Sequence, residues 1–369
     1  MGLEYLNSIL TKSHKIALMV FVFMGVLHNF IANDKYLIAK TDKGIEFMIL
    51  GNDIDWGIRA MIPYSSKSID KDNRGVSPFG VQKVSCLYHR HWLGTDALGR
   101  DVLAGILNGS FIALVVGVFT LIISLFIGVC LAFISAYYGD GSFRIEKRYV
   151  YALIPISIIV LFYAYYLHWS WSFILLTFLM YLWIKARNIS RIGRHYTYAM
   201  PLDMIVFRIL DIFNSIPGMF FILVLLALFE KASVTNVVLV IAFLKWPIIT
   251  RHLRAEILKL KEEDYIASAK SMGLSDLKIF VNHILPMAIS PVIIVLAFGF
   301  SSAVLMESTL SFLGLGVPLD EVTWGSIIRQ ARQNFSHWWL ALFPGLAIYA
   351  IVVLFNSIGN AMNKNLRME

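Results

Sequence analysis

Charge is scarce in this sequence. Asp, Glu, Lys and Arg make up 15% of its 369 residues, where an ordinary soluble chain carries about a quarter. Cysteine is nearly absent: Cys86 and Cys130 are too few for a disulfide framework or a cysteine metal cluster, and Cys130 falls inside an apolar run, where a thiol packs as a small hydrophobe. No G-x-x-x-x-G-K-[ST], H-E-x-x-H, C-x-x-C or G-x-S-x-G occurs, which excludes phosphate-loop ATP binding and the zinc, redox and serine-hydrolase chemistries those spacings serve. His89 and His91 lack a third ligand at zinc spacing, so neither a metal nor a cofactor is expected. What abounds is apolar: 58% of residues are hydrophobic. That composition excludes a disordered chain or a nucleic-acid scaffold and points to an integral membrane protein.

A helix needs about 20 mainly apolar residues to cross a bilayer. Eight runs approach this: Ile16 to Ala32, Ser110 to Tyr138, Val150 to Leu167, Trp171 to Ile184, Ile209 to Phe229, Val234 to Thr250, Met287 to Ser308 and Trp338 to Ile358. The first also resembles a signal peptide's apolar core, but no A-x-A-like site follows it. Either reading puts residue 33 onward outside.

The net charge of +8 is informative through its distribution. With the N-terminus inside, segments 1–15, 139–149, 185–208, 251–286 and 359–369 hold 18 basic against 10 acidic residues. The outside segments hold 13 basic and 12 acidic residues, mostly in the long stretch 33–109, on which the positive-inside rule has little grip. The expectation is eight spans with both termini cytoplasmic. Of the Asp, Glu, Lys and Arg residues, three fall within spans, Asp211, Lys245 and Glu307. Asp211 should pair with a cation or a polar group of the bundle, Lys245 should snorkel toward the cytoplasm, and Glu307 either faces a pathway or caps the turn after it. Pro217 should kink its span. Leu98, Val102, Leu103 and Ile106 fit one face of an interfacial helix over 95–107.

The cytoplasmic stretch 251–286 has local helix signals. Glu262, Glu263 and Asp264 suit a first turn, Lys270 a last turn, and Gly273 a left-handed C′ position. Ser275 can cap a second helix, which Pro286 should stop or kink. The predicted elbow presents Tyr265, Ala269 and Met272 as an apolar stripe beside Ala267 and Ser268. Such a stripe fits either a partner's groove or the chain's own membrane domain.

Ala267-Ser268-Ala269-x3-Gly273, nine residues, then His283-x-Leu285-Pro286 resembles the EAA signature of ABC importer permeases, E-A-A-x3-G-x9-I-x-L-P. The leading Glu is replaced by Ala267 and the Ile by His283, although the peptide-transporter branch often ends His-Ile-Leu-Pro. Other stretches resemble the peptide/nickel branch of oligopeptide and dipeptide C-subunits: His91-Trp92-Leu93-Gly94-Thr95-Asp96-Ala97-Leu98-Gly99-Arg100-Asp101-Val102, the run from Phe207 and Arg208 through Asp211 to Pro217 and Gly218, and Glu307 through Gly314 to Gly316. In that branch the Tyr-Tyr-Gly after the second span, here 137–139, leads almost directly into the Arg/Asp segment, whereas this chain interposes about residues 143 to 200.

The resemblance implies an all-α, MetI-like type I importer permease fold, with a six-span core plus an inserted transmembrane hairpin. The expected organisation is a tail and first span (1–32), an extracytoplasmic segment ending in an interfacial helix (33–109), a second span (110–142), the hairpin (143–200) and the permease core (201–369). The protein would lie in the bacterial inner membrane, multi-pass and in contact with lipid. It would pair with a second homologous permease, two ABC ATPase subunits on the elbows and an extracytoplasmic substrate-binding protein, and would bind no nucleic acid. No catalytic residue is expected here; the cargo would be oligo- or dipeptides, with nickel or another small solute as the alternative. A membrane enzyme using Asp53, Asp55, His89, His91 and Asp96, or an anchoring protein without transport, are readings of other classes.

Overall fold

A computed structural model of the chain describes residues 11–41, 44–49, 56–146, 197–229, 231–318 and 320–366. Helix α1 (Lys12–Val26) starts at Thr11, whose hydroxyl accepts from the His14 amide, and breaks at Leu27 into the short α2 (His28–Ile31). An antiparallel sheet of β1 (Tyr36–Thr41), β2 (Gly44–Ile49) and β3 (Trp56–Arg59) follows, in the order β2-β1-β3. An irregular segment then leads to α3 (Val102–Ala132), which ends in a π-helical turn over Phe133–Tyr138.

The expected interfacial helix over 95–107 is not formed. Gly94 and Gly99 take positive φ of 77° and 92°, and helix begins only at Val102, where the Asp101 carboxylate accepts from the Ala104 amide at 2.7 Å. Val102 and Ile106 are therefore the first buried turns of the long α3, while Leu98 stands exposed in the preceding loop. The apolar spacing is real, but two left-handed glycines and an N-cap move the helix start.

Strands β4 (Asp140–Glu146) and β5 (Thr197–Pro201) pair antiparallel, so the two ends of the long insertion lie side by side. The runs Val150 to Leu167 and Trp171 to Ile184 lie outside the described residues. Next come α4 (Leu202–Ser215) and α5 (Gly218–Ala227), bent by 91°. The run from Ile209 to Phe229 is therefore not one straight span with a mild kink. Ile216 is held extended at φ −91°, ψ 127°, as a residue before proline prefers, and Pro217 opens the next helix.

Helices α6 (Val234–Lys261), α7 (Asp264–Ser271), α8 (Asp276–Ile279), a π turn (Phe280–Ile284), α9 (Leu285–Leu313), α10 (Trp324–Gln333) and α11 (Trp339–Leu366) complete the chain. Pro286 neither stops nor kinks the chain: residues Asp276–Leu313 run as one helix. The wider π turn before it relieves the clash between a proline ring and the carbonyl one turn back. Among the described residues four helices are long and apolar enough to cross a membrane, or five if the bent α4–α5 pair counts as one.

The core is a contact of α3, α6 and α9. Thr120 and Ser124 on α3 donate to the Val238 and Ala242 carbonyls on α6, at 3.5 and 3.0 Å. The equal sequence offset of the two bonds makes α3 and α6 parallel. Small residues let the helices approach: a β-carbon on Gly117 would collide with the Phe300 ring, which is itself stacked on Phe355 at 3.8 Å. Overpacking of this kind costs about 1–3 kcal/mol. Gly117→Leu is expected to lower the melting temperature of detergent-solubilised protein, while Gly345→Leu, at a glycine with open space around it, leaves it near the starting value; equal melting of the two variants would refute the packing assignment.

Candidate functional site

The elbow is built where α6 overruns the bundle. Its first helix, α7, stops as Gly273 turns left-handed at φ 78°, with nothing within 4 Å of where a β-carbon would stand, the predicted C′ geometry. Ser275 sits at the N-cap of α8, but its side chain makes no capping bond. The predicted stripe divides. Ala269, 3% exposed, and Ile266, 4% exposed, pack into a core with Leu253, Ile257, Ile279, Phe280 and Ile284. Tyr265 and Met272, 42% and 74% exposed, stay outside with Ala267, Ser268 and Gly273. Ala269 is thus a core residue: the apolar pattern is satisfied equally by a face centred on Ile266, and burial behind α8 selects that phase. Leu277 and Val281 extend the exposed face. His283 and Leu285 are placed at the joint with α9, both half-buried, and Pro286 is exposed along the start of the span.

The elbow is tied back to α3 by Tyr137, whose hydroxyl donates to the Asp276 carboxylate at 2.8 Å. Burial leads, and the Glu263 charge adds, in raising the Tyr265 pKa above its ordinary value. The phenol is therefore neutral, and the exposed face carries no charge at this position.

At the opposite end, the segment 91–102 forms a closed knot. The buried His91 ring places Nδ1 2.8 Å from Asp101 and Nε2 3.3 Å from Asp70, and stacks on Tyr64 at 4.2 Å. Thr95 donates to the Asn73 carbonyl and accepts from the Val76 amide. Asp96 accepts from the Leu98 and Arg100 amides, from Arg100 Nε at 2.7 Å and from Gln330 at 3.1 Å. A β-carbon on Gly99 would collide with the Asp70 carbonyl oxygen, so glycine is required there. His89 turns away from His91 toward Cys86, Nδ1 to Sγ 3.1 Å, and Asp53 and Asp55 lie outside the described residues. Among the described residues His91 and Asp96 lock a loop to the N-terminal end of α3, and His89 does not join them.

The remaining predicted residues are dispersed. Asp211 meets Arg251 at 3.4 Å, each side chain about half exposed, while Arg208 is exposed. Glu307 is buried and accepts from Ser311 at 2.7 Å and Ser308 at 3.3 Å, a structural role inside α9. Gly314 caps that helix at φ 84°, and a β-carbon on Gly316 would meet the Ser311 hydroxyl at 2.8 Å. Lys245 does not snorkel toward the helix end: its ammonium crosses to the Ser302 hydroxyl on α9 at 2.7 Å. Sequence reasoning missed Arg254, which holds Asp203 through two bonds of 2.7 and 2.5 Å and lies over the Phe207 ring at 4.4 Å. The pair is 51 residues apart, beyond any local signal.

Long apolar helices packed through small residues, with a helical elbow between two of them, describe a multi-pass membrane protein. Residues 198–368 match the family of binding-protein-dependent transport system inner membrane components. The chain is 29% identical over 273 residues to the dipeptide transport system permease protein DppC of Alkalihalophilus pseudofirmus, covering 74% of this chain and 70% of that one. It is 26% identical over 320 residues to the glutathione transport system permease protein GsiD of Pectobacterium atrosepticum, covering 86% and 82%. A solved structure of the MetNI methionine ABC transporter in inward-facing conformations superposes with a TM-score of 0.37 at 15% identity, over 69% of this chain and 95% of that one, too loosely to define the fold.

The His91 knot makes a pH prediction. Burial disfavours the imidazolium, but the hydrogen bonds and charges of Asp101 and Asp70 outweigh it and raise the His91 pKa above 6.5. A raised histidine contributes stability that is complete below the unfolded value and is lost as pH rises through the folded one. Burial likewise opposes the Asp70 carboxylate, yet bonds from Asn73 and His91 lower its pKa, so its contribution fades only in acid. Melting of purified protein from about pH 6 to 9 is expected to fall with rising pH, and His91→Gln to flatten that slope; an unchanged slope in the variant would exclude His91 as its source.

Proposed function

We propose that this chain is a permease of an ATP-driven peptide importer of the bacterial inner membrane. It forms the translocation pathway with a second, homologous permease, and receives cargo from an extracytoplasmic substrate-binding protein. In this reading the core is the type I importer fold: six spans plus the hairpin 143–200, eight in all, with both termini and the elbow 251–286 in the cytoplasm and 33–109 outside.

The observation that carries the reading is the elbow. A short helix ended by a left-handed glycine presents Tyr265, Ala267, Ser268, Met272 and Gly273 outward while Ile266 and Ala269 lock it to the bundle, within the stretch matched to the permease family. An ATPase subunit gripping that face moves α6 and α9, because the elbow is continuous with one and packed on the other; one ATPase would bind each permease. His283, Leu285 and Pro286 serve the joint between elbow and span rather than the docking face. The names of the dipeptide and glutathione permeases support peptides as cargo.

Peptide uptake by cells lacking this chain is expected to be lost and nickel uptake retained; the reverse result would replace peptide with nickel. Met272→Asp is expected to lower peptide uptake and ATPase co-purification by about tenfold, the scale of a central interface residue, with normal amounts of folded permease. Ala269→Asp places a charge in the core and should instead abolish folded protein. If both variants fold and transport normally, the elbow is not the coupling element.

A further inference from the structure

Lys245 lies in the middle of α6 (Val234–Lys261), roughly 16 Å from its Val234 end and about 9 Å along the axis from Arg251 at about 1.5 Å per residue. A lysine at such depth costs about 2.5–3.5 kcal/mol on insertion scales and is ordinarily paired or functional. Here its one partner among the described residues is neutral, the Ser302 hydroxyl, which itself donates to the Gly299 carbonyl at 3.0 Å. Among the described residues the two carboxylates of the apolar runs are committed elsewhere, Asp211 to Arg251 and Glu307 to Ser308 and Ser311. An ammonium has three N–H donors, so the serine orients the group without neutralising it.

The surroundings are open on one side. Phe298, Ser302, Leu305 and Thr309 recur at one-turn spacing along α9, with Phe298 and Leu305 exposed, Thr309 exposed and Ser302 half-buried. Lipid tails would leave this ammonium without an anion. A fixed carboxylate would satisfy it permanently, and any anionic cargo would have to displace that group. A neutral holder suits a transient anion.

Resting on the peptide-importer reading above, we propose that Lys245, held by Ser302, lines the translocation pathway and binds the C-terminal carboxylate of a passing peptide, while Phe298 and Leu305 receive its apolar side chains. Lys245 is a binding residue in this assignment and Ser302 a positioning residue.

The test uses the complete transporter in cells, comparing uptake of a tripeptide with that of its C-terminal amide at saturating concentrations. Lys245→Met is expected to lower uptake of the free acid by at least about tenfold, as for loss of a hydrogen bond to a charged group, while sparing the amide, whose transport also reports that the variant folds. Lys245→Arg should retain most free-acid uptake, and Ser302→Ala should raise the half-saturating concentration for the acid more than it changes the maximal rate. Free-acid uptake unchanged in Lys245→Met overturns the inference and leaves the importer reading standing. Equal loss of acid and amide also overturns it, and points to a fixed carboxylate on the partner permease as the counter-ion. If the unsubstituted transporter carries neither compound, the peptide reading falls and this inference with it.

Discussion

Backbone in hydrocarbon has no water to bond, so every amide and carbonyl there must be satisfied by the chain itself. That constraint decides where this protein is regular and where it is not. Among the described residues the long helices α3, α6, α9 and α11 carry apolar runs without a break, and irregular backbone falls at their ends and at the bend between α4 and α5. Where the loop 91–101 enters α3, side chains replace water: Asp101 caps the first turn, Asp96 takes two backbone amides, and Thr95 bonds a carbonyl and an amide of the stretch beside it. The same carboxylate that caps α3 also holds His91, so the long helix and the loop before it share one fixed point.

This sharing explains why the motif 91–102 could be read from sequence while its role could not. Glycine at 94 and 99 and acids at 96 and 101 are visible as residue types, but the residues they serve, Asp70, Asn73, Val76 and Gln330, lie far along the chain. Apolar spacing alone continues the helix back to residue 95, because periodicity cannot register a left-handed glycine. The elbow is legible for a converse reason: its signals, the acidic first turn, the terminal lysine and Gly273, are all local. Its phase is not, since Tyr265-Ala269-Met272 and Ile266-Ala269 satisfy the same spacing, and only the packing of α7 on Ile279 and Phe280 decides between them. Segment 36–59 carries no helical signal, and its three strands emerge from pairing between residues that no run of sequence joins.

The replacement of the signature's leading acid by Ala267 acquires a meaning from this geometry. Ala267 is on the exposed side, and the hydroxyls near it are turned back onto their own helix, Ser268 to the Asp264 carbonyl at 3.0 Å and Ser271 to the Ala267 carbonyl at 2.9 Å. The face offered therefore presents apolar Tyr265, Met272 and Leu277, with exposed charge at Glu262, Glu263, Asp264, Lys270 and Lys278 around them. Docking on such a face relies on burial of apolar area more than on an ion pair, and should be correspondingly insensitive to salt.

The insertion is attached at a mechanically significant place. Its two ends pair as β4 and β5, and Asp140 accepts from the Asp203 amide at 3.0 Å. Asp203 in turn holds Arg254 through both guanidinium bonds, and Arg254 lies on the extension of α6 that runs into the elbow. A chain that leaves and returns through adjacent antiparallel strands adds residues without displacing the elements on either side, so α3 and α4 keep the connection they would have with a short loop. The charge pair then does more than join two helices: it fastens the root of the insertion to the same rod that carries the elbow. A chain of direct contacts thus runs from the elbow along α6 to α4 and to the right-angle bend at Pro217 that joins it to α5.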